Sequence, residues 1–162
     1  MRILGFSVRI LLGIFGLMLL SCKDHAARGV VFNDFNDLQI EINSPASCYN
    51  EIKMNDSGTG ISIVGNRSIG QKEKIRNQKP FDIVAVDDRE NISNIIEKIT
   101  KRAPVSSSVG LDLYHYCLLI DGKKFVDVYG GDTLLDKLLV TLAPFARVEQ
   151  TGQCDFFQLF QK

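Results

Sequence analysis

The residues with the reactivity for chemistry are few, and their spacing suits it poorly. The chain has two histidines and four cysteines. His25 lies in a polar segment near the start, so a folded domain holds His115, two positions before Cys117. A Cys–His nucleophile pair needs thiol and imidazole within hydrogen-bond reach. Residues i and i+2 on one strand share a face but stand roughly 6.5 Å apart, so His115 reads as a buried, hydrogen-bonded residue. As zinc ligands the two fall short of the three or four that zinc sites use. Asn33-Asp34-Phe35-Asn36-Asp37 offers oxygens without the glycine and distal glutamate of a calcium loop. Gly58-Thr59-Gly60 lacks the lysine of a phosphate loop and reads as a turn. Neither a Gly-x-Ser-x-Gly elbow nor a Ser-x-x-Lys pair occurs. No catalytic residue, metal ligand set or cofactor is assigned. Isolated acids meeting in space as the carboxylate pair of a small hydrolase are the enzymatic alternative.

The first segment speaks to address instead. Arg2 and Arg9 flank the start, and Ile10 to Leu20 is apolar apart from two glycines. As a helix that run reaches about 16 Å, short of the roughly 30 Å of a hydrocarbon core. A basic start, a short apolar run and a small residue before a cut point describe an export signal. Leu19-Leu20-Ser21-Cys22 resembles the lipobox of bacterial lipoproteins. The resemblance implies that Cys22 is acylated and becomes the first mature residue, with several acyl chains giving stable anchoring. It covers the first 22 residues only. On this reading residues 1–21 are the signal peptide, 22–36 the lipidated cysteine and a polar tether, and 37–162 a single domain. The address is the bacterial cell envelope, on a periplasmic or surface face.

Removing residues 1–21 takes away Arg2 and Arg9 and no acid, leaving a formal charge of −2. That balance argues against nucleic acid as a partner, since such affinity rests on neutralising phosphates. The remaining chain is large enough for one core. Of the three cysteines besides Cys22, Cys117 sits in the apolar run "YHYCLLI" and behaves as a small hydrophobe. Cys48 and Cys154 adjoin turn-like segments and are the favoured disulfide, ahead of either pairing with Cys117 or no bridge.

These residues need elements to position them. Leu38, Ile40 and Ile42 alternate with polar residues as a half-buried strand. Cys48, Ile52 and Met54 mark a second, and Ile61 and Ile63 a third after the "NDSGTG" turn. Arg67, Lys72, Lys74, Arg76 and Lys79 then face one acid, Glu73. That stretch reads as a lysine-rich edge strand or loop, or as a contact for an anionic envelope polymer or lipid headgroups. Asp87 and Glu90 resemble a capping box. Ile92, Ile95, Ile96 and Ile99 form one helical face, and Pro104 stops the run.

Asp121-Gly122 between two strand-like runs predicts a type I′ hairpin. A regular ladder from that turn pairs Ile120 with Lys123, Leu118 with Phe125, Tyr116 with Asp127 and Tyr114 with Tyr129. Leu134, Leu135, Leu138, Leu139 and Leu142 predict a second helix, capped by Asp132 and ended at Pro144. "DFFQLF" predicts a last strand with Phe156 and Phe160 toward the core. The order β-β-β-α-β-β-α-β describes an α+β fold, an antiparallel sheet of about five to six strands backed by two helices.

The regular register places Tyr114, Tyr116, Phe125 and Tyr129 on one side with Asp127 among them. Tyrosine-rich patches are favoured at interfaces, so this side is the candidate partner surface, with core packing as the competing reading. The sequence thus points to a non-enzymatic, lipid-anchored envelope protein that binds another envelope or secreted protein. An immunity protein or an inhibitor of a toxin or cell-wall hydrolase is the sharpest form of that expectation. A structural or assembly lipoprotein is the alternative.

Overall fold

A computed structural model describes residues 32, 35–67, 72, 74–108, 113–148 and 156. Seven strands and two helices lie among them: β1 (Asp37–Asn43), β2 (Cys48–Asn55), β3 (Thr59–Asn66), β4 (Lys74–Asp82), α1 (Val86–Thr100), β5 (Val105–Ser106), β6 (His115–Ile120), β7 (Lys123–Tyr129) and α2 (Thr133–Ala146). The fold is α+β. The sheet runs β4-β3-β2-β1-β6-β7-β5, antiparallel throughout except for the parallel β5–β7 pair. It is larger than the expected five to six strands, and its element order is β-β-β-β-α-β-β-β-α. Lys74, Arg76 and Lys79 of the basic stretch lie on edge strand β4, and Val105–Ser106 adds a short strand at the other edge.

Alternation along β1 puts Leu38, Ile40 and Ile42 on one face, paired with Met54, Ile52 and Asn50 of β2 and with Ile120, Leu118 and Tyr116 of β6. Both helices close over this face. Ile92, Ile95, Ile96 and Ile99 of α1 and Leu135, Leu138, Leu139 and Leu142 of α2 join the strands in one buried core. Phe156 packs there too, as expected, but from a 3-10 turn rather than the expected last strand; the rest of that segment, Phe160 included, lies outside the described residues.

The helix starts differ in their chemistry. Asp132 caps α2 by accepting from Leu135 N–H at 3.0 Å. Its carboxylate also takes both Arg102 nitrogens, at 2.7 and 2.9 Å, tying the end of α1 to the start of α2. The capping box expected at Asp87 does not form. The N-cap is Ala85, without a side-chain bond, and Asp87 and Asp88 lie in the first turn, where they favour the positive end of the dipole. Arg89 fixes this corner instead, donating from Nε to the Ile83 carbonyl at 2.5 Å. Pro144 sits inside α2 rather than ending it.

Edge β4 is guarded against further strands. Pro80 offers no N–H, and Gln78 N–H is taken by the Asn77 side chain at 2.9 Å. The ladder to β3 is also irregular between Val64 and Gly65. Such devices block edge-to-edge pairing.

Candidate functional site

The sheet face turned away from the helices is the place to build a site, because no described helix covers it. Its β6–β7 end is set by the hairpin, and the hairpin is not regular. Asp121 (φ +50°) and Gly122 (φ +73°) make the turn that the sequence predicts. Ile120 pairs with Lys123 and Leu119 with Lys124, but Leu118 then pairs with Val126. Phe125 is the extra residue of a β-bulge, which places two residues opposite one. From there every pair slips by one: Cys117 faces Asp127, Tyr116 faces Val128 and His115 faces Tyr129.

The slip divides the expected patch. Tyr116 and Phe125 are buried in the core at 6% and 8% exposure, and burial pushes the Tyr116 hydroxyl up to about 12. Tyr114 is half-buried and packs near Phe156, with ring centroids 5.9 Å apart. Asp127 and Tyr129 face the other way, on the open face. A carboxylate among tyrosines is awkward on the regular register, since buried charge needs a partner. The bulge removes the conflict.

On the open face Asp127 is the centre of a small network. Its Oδ2 accepts from Lys124 Nζ at 2.7 Å, and its Oδ1 lies 2.7 Å from His115 Nε2. The Lys124 bond, with help from His115 and against desolvation, holds the Asp127 carboxyl below its usual range. The His115 ring stacks beside Tyr129 at 4.8 Å. His115 is thus hydrogen-bonded, as expected, but partly exposed rather than buried. Lys124 and Asp127 share the face although three residues apart, which only the bulge permits. The signal for it is the adjacent apolar pair Phe125-Val126, a break in strict alternation.

Cys117 lies beneath this network, opposite Asp127 on β7 and Glu41 on β1. Burial pushes its thiol up; Lys124 opposes this, and the two carboxylates add to it. No hydrogen bond among the described residues joins it to His115. A raised thiol with the imidazole turned to a carboxylate is the reverse of an activated nucleophile.

A second network continues across β1 and β2. Gln39 Nε2 donates to Glu41 at 2.9 Å and to Glu51 at 2.7 Å. Lys53 pairs with Glu51 at 2.9 Å, and Arg67 reaches Glu41 at 3.4 Å while lying over the Tyr49 ring. Glu41, Glu51 and Asp127 therefore each have a cation. No group of three His, Cys, Asp or Glu side chains fit to hold a metal ion occurs among the described residues. This arrangement can present hydrogen bonds, paired charges and aromatic edges to another surface.

Cys48 is disulfide-bonded, and Cys117 is a free, buried thiol. The expected partner Cys154 and the lipidation residue Cys22 lie outside the described residues. Among the described residues no helix is long and apolar enough to cross a membrane. Comparison with known protein families, curated proteins and solved structures finds no match to this chain.

Proposed function

We propose that this chain is a non-enzymatic lipoprotein of the bacterial cell envelope, anchored through Cys22, that binds a protein partner through its open sheet face. The observation that carries the reading is the face itself. Tyr129 and Leu113 are exposed at its β6–β7 end, beside a hydrogen-bonded His115–Asp127–Lys124 set that no core packing requires. Aromatic and charged groups held in place by neighbours lose little freedom on binding, and such residues dominate interface energetics. The Leu-Leu-Ser-Cys leader supports the anchor. A small tethered domain in which the described residues assemble no catalytic group suits an immunity protein, or an inhibitor of a toxin or cell-wall hydrolase.

A photo-crosslinking residue at position 129, in cells of the natural source, tests this. The expected result is a discrete adduct with one protein, absent when the crosslinker replaces Val140 on the exposed side of α2. A soluble hydrolase or toxin in the adduct supports the inhibitor form, and a membrane assembly supports the structural one. Adducts only from position 140 would overturn the face assignment. Cys22→Ser should abolish incorporation of labelled fatty acid.

A further inference from the structure

The open face has its charges matched, but edge strand β4 does not. Lys72 just before it and Lys74 and Arg76 within it are exposed and make no ion pair among the described residues, while Lys79 donates to the Arg147 carbonyl at 3.1 Å. The acids of the stretch are Glu73 and Asp82. Ile75 stands between these cations at 56% exposure. Protection of the edge does not account for this cluster. Pro80, the Asn77–Gln78 bond and the irregular ladder already block pairing, and an exposed isoleucine works against that purpose.

We propose that β4 is a membrane-contact strand, lying on the anionic lipid headgroups of the bilayer to which the chain is anchored. Unpaired cations gain from a negative lipid surface, and an isolated exposed isoleucine among them can enter the headgroup boundary as interfacial apolar residues do. A second copy of the strand is a poor occupant, because Pro80 and the Asn77–Gln78 bond remove the donors that self-pairing needs. An added acidic strand meets the blocked donors.

Chain geometry agrees, on the anchor reading above. Phe32 N–H donates to the Asp56 carbonyl, in the β2–β3 turn. That turn adjoins the Asp82 end of β4, and Lys74 to Arg76 stand at the other end, roughly 20–26 Å along the strand. The span from Cys22 to Val31 reaches at most about 35 Å at full extension. A tether of that length lets the Lys74 end of β4 rest on the bilayer when Cys22 is acylated.

The test uses the unacylated chain from Cys22 onward, which keeps every member of the buried core from Phe32 to Phe156. Its partition is measured onto vesicles of phosphatidylcholine and phosphatidylglycerol in equal parts, against phosphatidylcholine alone. Each cation near an anionic surface is worth about fivefold. Lys72→Gln, Lys74→Gln and Arg76→Gln together should therefore lower partition onto anionic vesicles on the order of 100-fold and leave neutral vesicles unaffected. The charge-matched set Lys98→Gln, Lys101→Gln and Lys137→Gln on the helices should cost far less. Ile75→Ser should weaken anionic binding on its own. Equal losses from both triple variants would reduce the effect to net charge and overturn the proposal. So would displacement by soluble polyglutamate with no effect of Ile75→Ser, which assigns the strand to polymeric anions. Because this chain carries no acyl group, the outcome is independent of Cys22. Failure of fatty-acid labelling would overturn the anchor and leave the vesicle result standing.

Discussion

Asp121 and Gly122 both hold positive φ, and the two positions do different work. Gly122 has open space around its Cα, so a side chain there meets backbone strain rather than a clash. Gly122→Val should lower stability by about 1–2 kcal/mol, read as a lower denaturation midpoint. Asp121 reaches back to the start of β1, accepting from Asn36 N–H at 2.8 Å and Asp37 N–H at 2.9 Å. The Asp37 and Asn36 bonds hold its carboxyl below the ordinary range. With the folded value below the unfolded one, the unfolded chain binds more protons in between, so this contribution is lost as pH falls. The stability difference between the wild type and Asp121→Asn should be full at neutral pH. It should shrink as pH drops below about 4, the unfolded carboxylate value, and then through the folded one. A difference constant with pH would show that the charge does not serve the turn.

At the scale of elements, the sharpest contrast lies within the β6–β7 hairpin. Tyr116→Ala should cost about 3–5 kcal/mol, as large buried truncations do, because the ring packs between the strands and Phe156. Tyr129→Ala, on the exposed face, should change the unfolding free energy by less than about 1 kcal/mol. Denaturant titration of the two variants decides whether the bulge or the regular register is right. The turn was readable in the sequence because positive φ leaves few residue choices. The bulge carries no such marker. It needs no glycine, and its trace is only that Phe125 and Val126 are both apolar. The helices were readable from their isoleucine and leucine spacing, and β1 from its alternation. The start of α1 was not, because Arg89 fixes that corner through the Ile83 carbonyl, a contact between elements that no local motif encodes. β5 escaped for the same reason, being a two-residue strand defined by its pairing with Val126 and Asp127. Of the candidate site, Asp127 and Tyr129 were legible as residues, but which partners they meet depended on one extra residue in a strand.

At the scale of the whole molecule, the two sides of the sheet carry separate tasks. The helix side supplies the core, and the other side presents matched charges and aromatic edges. The cysteines bear on whether the chain is built to live outside the cytoplasm. Cys48 is bonded and Cys117 is free, so the bridge joins Cys48 to either Cys22 or Cys154 of the four cysteines in the chain. An acylated Cys22 has no thiol to share, so the lipoprotein reading requires Cys48–Cys154. Oxidised protein from residue 22 onward with Cys22→Ser separates the two cases by thiol titration. If Cys154 is the partner, the native variant should show no fast-reacting thiol, because Cys117 is buried beneath the Asp127 network. Denaturation without reductant should expose one thiol, Cys117, and reduction should raise the total to three. If three thiols react on denaturation alone, Cys22 was the partner. In that case the leader cysteine is structural and the lipid anchor fails, while the two faces of the sheet keep their separate make-up.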